Sequence, residues 1–172
     1  MKVTTSAIPS SPRRVHCLAL LVAFTLAFAP QSARAGEQVP FRAAFITEFE
    51  SVVEFPIAHI SVIGQGRALH MGATTAVTTD QAVNLITGEA TATYTLTAAN
   101  GDTIVLELEF QTTFLPGGVT FEGSYAVAEG TGRFAGVTGS GSMSGSATFT
   151  GPSNGVGSFT VAGTISSPGS LR

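Results

Sequence analysis

ATATYTLTAANGDTIVLELEF, residues 90–110, alternates apolar and polar side chains on both sides of a turn. In the first half Ala90, Ala92, Tyr94, Leu96 and Ala98 fall on one face of an extended chain, and the threonines at 91, 93, 95 and 97 fall on the other. A period of two with β-branched residues on the polar side is the signature of a half-buried strand. In the second half Ile104, Leu106, Leu108 and Phe110 share one face while Glu107 and Glu109 share the opposite, wet one. Asn100-Gly101, followed by Asp102, tolerates the positive φ of a tight hairpin turn, so the two segments predict an antiparallel pair.

The same alternation extends outward from this hairpin. Phe41, Ala43, Phe45, Thr47 and Phe49 form one apolar row. Val119, Phe121, Gly123, Tyr125 and Val127 form a second, and Phe159, Val161, Gly163 and Ile165 a third. Weaker strands are expected near 57–64, 66–79 and 138–149, joined by turns such as Pro116-Gly117-Gly118 and the stretch 151–155. No segment sustains a helical period. About eight short antiparallel strands favour an all-β, up-and-down barrel, with a β-sandwich as the alternative.

The N-terminal segment reads differently. Lys2, Arg13 and Arg14 precede an uncharged apolar run from Leu18 to Ala29, then Pro30 and the small-residue pattern Ala33-Arg34-Ala35. This predicts a signal peptide over 1–35, cleaved after Ala35, and a single barrel domain over 36–172 that is secreted or periplasmic. The run is shorter than the roughly 20 residues that span a bilayer. Arg13-Arg14 also admits twin-arginine export, although Pro12 and His16 suit it poorly, and ordinary secretion is preferred. Beyond residue 35 the chain keeps four arginines and no lysine against all eleven acidic residues, a formal charge of −7. Phosphate backbones and anionic lipid surfaces would repel it, so neither nucleic acid nor membrane is an expected partner after cleavage. An outer-membrane barrel would need aromatic girdles and an apolar outer band. There is no tryptophan, the only tyrosines are Tyr94 and Tyr125, and the outward faces carry threonine, serine and glutamate.

GTGRFAGVTGSGSMSG, residues 130–145, has neither the G-x-G-x-x-G spacing nor the following helix of a dinucleotide loop. Met143, Ala147 and Phe149 share parity with Gly141 and Gly145, and Ser140 to Ser146 with Thr148 hold the other parity, so a strand begins near 138. Glycine on its inner face allows curvature or lets a neighbouring aromatic cover the backbone. Upstream, Gly130, Gly132 and Gly136 predict a compact structural turn anchored by Phe134, which would cap one end of the barrel.

Residues 120–145 resemble the segment of the allene oxide cyclase and dirigent barrels in which a strand leads into G-[TS]-G-x-F-x-G-x-x-G. GQGRALHMG (64–72) and NLITGEATATYTLTAANGDTI (84–104) are similar to uncharacterised bacterial secreted members of that superfamily. The resemblance covers roughly 55–166 and implies an eight-stranded antiparallel barrel, assembled as a homo-oligomer, a trimer in plant relatives. In those cyclases a polar pocket includes a glutamate and a cysteine, and dirigent barrels place acidic residues and arginines around a phenolic pocket. Cys17 belongs to the leader, so no cysteine remains, and the matched glycine motif is structural in these families.

The remaining chemistry is sparse. His59 and His70 are too few for a three-histidine zinc site, and no H-E-x-x-H or H-x-H spacing brings ligands together, so neither metal nor cofactor is expected. Glu48 and Glu50 lie opposite Phe45 and Phe49, on a face that should be solvent, as do Glu107 and Glu109. Gly141-Ser142-Met143-Ser144-Gly145 is not in the strand-to-helix turn that a hydrolase serine needs. His70 is the leading candidate for a ligand contact, beside Arg67, Tyr94 and Tyr125, although a strand histidine is as a rule hydrogen-bonded structure and Arg67 would sit on the opposite face. Two readings follow. The first is a non-catalytic barrel that binds a small hydrophobic molecule or serves as an envelope or matrix module. The second is an isomerase or cyclase resembling allene oxide cyclase. The small inner residues predict a slender apolar cavity near one mouth.

Overall fold

The computed structural model describes residues 37–169; the predicted leader and its cleavage residues Ala33 and Ala35 lie outside the described residues. Eight strands follow in chain order: β1 (Gln38–Glu54), β2 (Ile57–Ala68), β3 (Gly72–Asn84), β4 (Glu89–Ala98), β5 (Thr103–Leu115), β6 (Gly118–Gly130), β7 (Gly139–Phe149) and β8 (Asn154–Ser166). Each pairs antiparallel with its sequence neighbour, and β1 also pairs with β8 from Gln38↔Ser166 to Glu50↔Asn154. That last ladder closes the barrel and excludes the sandwich. Closure leaves no edge with unpaired backbone groups.

Alternation decides which side chains enter. Phe41, Ala43, Phe45, Thr47 and Phe49 on β1 are all buried, as are Ile104, Leu106, Leu108 and Phe110 on β5. Glu48, Glu50, Glu107 and Glu109 are exposed on the outer wall, where the sequence placed them.

The boundary between β2 and β3 differs from the expected 57–64 and 66–79. Gly64 and Gly66 look like turn residues but lie inside β2, opposite Thr47 and Phe45 of β1. A Cβ on Gly66 would strike the Ala44 carbonyl and approach Phe45 Cδ1 to 2.8 Å, so these glycines make room for the β1 row. The actual turn is Leu69-His70-Met71, with His70 in the left-handed region at φ 68°.

β3 also runs five residues past its expected end, to Asn84, and contains a bulge. Val77 pairs Thr95 and Ala82 pairs Thr91, so β3 holds one residue more than β4 over the same span. The β2 ladder shows the same shift, between Ile60 and Val62. A bulge of this kind lets the strand resume its alternation out of phase. Here Thr78 is inside, Asp80 is exposed, and Gln81 and Val83 return to the interior.

The two ends of the barrel are built differently. At the end carrying the β2–β3, β4–β5 and β6–β7 connections, Phe41, Leu96, Ile104, Leu106, Phe134 and Ile165 fill the interior without solvent exposure. At the opposite end every connection exposes a large apolar side chain at or beside it: Phe55 (75% exposed), Ile86 (69%), Leu115 (50%) and Phe149 (44%).

Candidate functional site

The glycine-rich turn shuts the filled end. A single 3-10 turn, Gly132–Phe134, follows β6 and drops the Phe134 ring fully into the core. Gly132 sits at φ 58° and Gly136 at φ 72°, and a Cβ on Gly132 would collide with the Asp102 carboxylate. Gly130 approaches Phe134 closely in the same way, so the turn and the ring need the glycines together. Asp102 holds the turn from the β4–β5 hairpin, accepting from the Arg133 N–H at 3.3 Å and facing its guanidinium at 3.7 Å. The Arg133 guanidinium lies 4.9 Å from the centre of the Phe134 ring. Thr131 donates its N–H to the Thr103 carbonyl at 2.9 Å, tying the turn to β5.

The other half of the interior is hollow. A cavity of about 230 Å³ opens between the exposed apolar connections. Its walls are chiefly apolar, with six phenylalanines among them, including Phe49, Phe110, Phe121 and Phe159. Phe159 stacks on Phe45 with ring centres 4.9 Å apart and leans against Tyr94 at 5.2 Å, which makes an aromatic floor.

Six polar side chains line the cavity, Thr47, Ser51, Gln81, Tyr94, Thr112 and Ser146, and three of them bear most on what it can hold. Tyr94 points inward because it continues the alternation of β4, and its hydroxyl donates to Gln81 Oε1 at 3.0 Å. Burial pushes the Tyr94 phenol well above the usual tyrosine range, so it is neutral at physiological pH. Gln81 faces the cavity only because of the β3 bulge. Thr112 extends the Ile104-to-Phe110 row of β5 by one step, and its Oγ1 is buried without a hydrogen-bond partner. Its backbone N–H donates to the Gly88 carbonyl at 2.7 Å. Gly88 is at φ 77°, and a Cβ there would meet the Thr112 carbonyl, so the β3–β4 turn and Thr112 are fitted to one another. Among the described residues lining the cavity there is no carboxylate, imidazole, amine, guanidinium or thiol.

Of the four side chains expected to contact a ligand, the cavity includes Tyr94 alone. His70 lies at the filled end, on the outside, where its Nε2 is 3.0 Å from the Pro40 carbonyl. Because it occupies a turn and not a strand, it shares the outer surface with Arg67 instead of opposing it, and both border a shallow depression beside Pro40 and Arg42. Tyr125 is inside the barrel but outside the cavity wall, its ring lying over Gly141 and its hydroxyl over Gly163. Its Oη is buried without a partner, and burial pushes its pKa up to about 12. Gln81 and Thr112 were missed. Thr112 could have been found by carrying the β5 row one residue further, whereas Gln81 depends on a bulge that leaves only a break in the pattern.

Among the described residues no three or more His, Cys, Asp or Glu side chains group in a way that could hold a metal ion. No family model matches the chain, and no curated protein matches it. Among solved structures it is similar to a pterocarpan synthase dirigent protein, at 12% identity and a TM-score of 0.47, over 84% of this chain and 99% of that one. The assignment of a closed eight-stranded barrel rests on the strand pairing itself.

Proposed function

We propose that this chain is a secreted, soluble barrel that holds a small apolar molecule in the open half of its interior and does not transform it. The observation that carries the reading is the cavity of about 230 Å³, phenylalanine-walled, with Tyr94 its one ionisable lining side chain among the described residues. An apolar cavity of about 150 Å³ accepts benzene, so this one suits one ring with a short substituent, or a short chain. Burying each CH₂ is worth about 0.8 kcal/mol, which puts such a molecule in the weak-to-moderate affinity range once its lost freedom is counted. General acid–base catalysis works best with a group that titrates near the working pH, whereas burial raises the pKa of Tyr94, the one ionisable side chain in the lining among the described residues. The apolar residues around the mouth continue the cavity wall outward and give such a molecule an entry route.

Native mass spectrometry of freshly purified protein, followed by solvent extraction, tests the binding reading: a bound small molecule is expected, and a uniformly empty barrel that also refuses added benzene would contradict it. Stereoselective product from fatty-acid epoxides or phenolic radicals, lost in Tyr94→Phe, would overturn the non-catalytic part. N-terminal sequencing of exported protein is expected to begin at or near Gly36.

A further inference from the structure

We infer that the molecule held in the cavity is a neutral oxygen-bearing one, a ketone, aldehyde or alcohol, whose oxygen pairs with Thr112, in preference to a plain hydrocarbon or a carboxylic acid. The inference rests on the binding reading above and adds the chemistry of the occupant.

The starting point is the Thr112 hydroxyl. Thr112 lies in the cavity wall, 6% exposed, and its Oγ1 meets no hydrogen-bond partner. It stands between Phe110 and Phe114 on the inner row of β5 and opposite Phe121 of β6. A valine has the same shape and would fill this apolar place without burying an unpaired hydroxyl, an arrangement that costs free energy whenever no partner arrives. A ligand oxygen supplies that partner once rotation about χ1 turns the hydroxyl, which water does not reach where it stands, into the cavity, since a threonine hydroxyl both donates and accepts.

Gln81 points to the same ligand chemistry. Its carbonyl oxygen already accepts the Tyr94 hydroxyl at 3.0 Å, which leaves its amide N–H groups as the donors this pair can offer. Thr112 and Gln81 can therefore both donate to an acceptor oxygen. Charge then narrows the class. No cationic side chain lines the cavity among the described residues, so a carboxylate would be buried unpaired. A hydrocarbon would leave Thr112 as it stands.

Three probes of similar size separate the possibilities: acetophenone, ethylbenzene and benzoate, titrated calorimetrically at neutral pH into the exported protein and into its Thr112→Val and Thr112→Ser variants. In the unaltered protein acetophenone and ethylbenzene should bind and benzoate should not. Thr112→Val should weaken acetophenone roughly threefold to tenfold, the worth of one net hydrogen bond, and leave ethylbenzene unchanged or tighter. Thr112→Ser, which restores a hydroxyl, should recover most of the acetophenone affinity. Thermal unfolding of the ligand-free variants guards against a folding defect, and Thr112→Val should melt no lower than the parent. If Thr112→Val weakens neither probe or both equally, or if benzoate binds as well as acetophenone, the oxygen preference is wrong while the apolar cavity stands. If none of the three probes binds the unaltered protein, both readings fall.

Discussion

Tyr94 and Tyr125 are both buried phenols inside one apolar barrel, and they differ in a single partner. Tyr94 donates to Gln81, whereas the Tyr125 hydroxyl meets nothing. Removing a made hydrogen bond costs about 0.5–1.5 kcal/mol, and removing a buried unpaired hydroxyl relieves a penalty. Tyr94→Phe should therefore destabilise by that amount, while Tyr125→Phe should be neutral or up to about 1 kcal/mol more stable. Urea denaturation of the two variants checks the contrast, and a larger loss in Tyr125→Phe would show a partner for its hydroxyl. The same burial sets an alkaline limit. Both phenols have raised folded pKa values, so in alkali the folded state holds protons that the unfolded state has released. The contribution of the two tyrosines to stability should be constant below pH 10, the ordinary tyrosine value, and fall from there toward about 12 as the unfolded phenols ionise. The slope should reach at most about 1.4 kcal/mol per pH unit for each tyrosine. With no tryptophan in the chain, phenolate absorbance reports this directly, and the Tyr94→Phe/Tyr125→Phe double variant should flatten the slope.

The glycine-rich turn and the β3 bulge are the elements that give the barrel one closed end and one open end. Phe134→Ala removes a fully buried ring and should cost about 3–5 kcal/mol in chemical denaturation, against under about 0.5 kcal/mol for a surface change. A small shift would show that the ring is not the plug. The turn was legible because Gly130, Gly132 and Gly136 break the alternation of the strands on either side and Phe134 is the lone large apolar residue among them. The β4–β5 hairpin and the β1 row were legible for the complementary reason, an unbroken period of two. β3 was not. Its bulge interrupts the alternation near Thr79 and Asp80, so a strand that continues to Asn84 reads as one that stops. Gly64 and Gly66 misled in the opposite direction, since a glycine chosen to clear the β1 side chains looks locally like a glycine chosen for a turn. His70, read as a strand residue, stands in the turn itself.

At the scale of the molecule, closure depends on β1 meeting β8, a contact more than a hundred residues apart in sequence that no local pattern announces. Hollowness is equally non-local. Both halves of the barrel are rich in apolar residues, yet Phe41, Phe134, Leu96 and Ile165 are fully buried at one end, while toward the other Ala58 and Ala147 stand beside phenylalanines in the wall of a cavity. Whether the remaining phenylalanines fill that space or stand along its walls is decided by the bulge, by the Phe45–Phe159 stack and by Gly88 fitted against Thr112. The central claim is that they stand along the walls and leave room for a guest. Xenon enters empty apolar cavities and is located by its scattering. In crystals of the barrel pressurised with xenon, the atoms should appear among Phe110, Phe121 and Phe159 in the open half and not around Phe134; a barrel that takes up no xenon, with those rings closed against one another, would contradict the account.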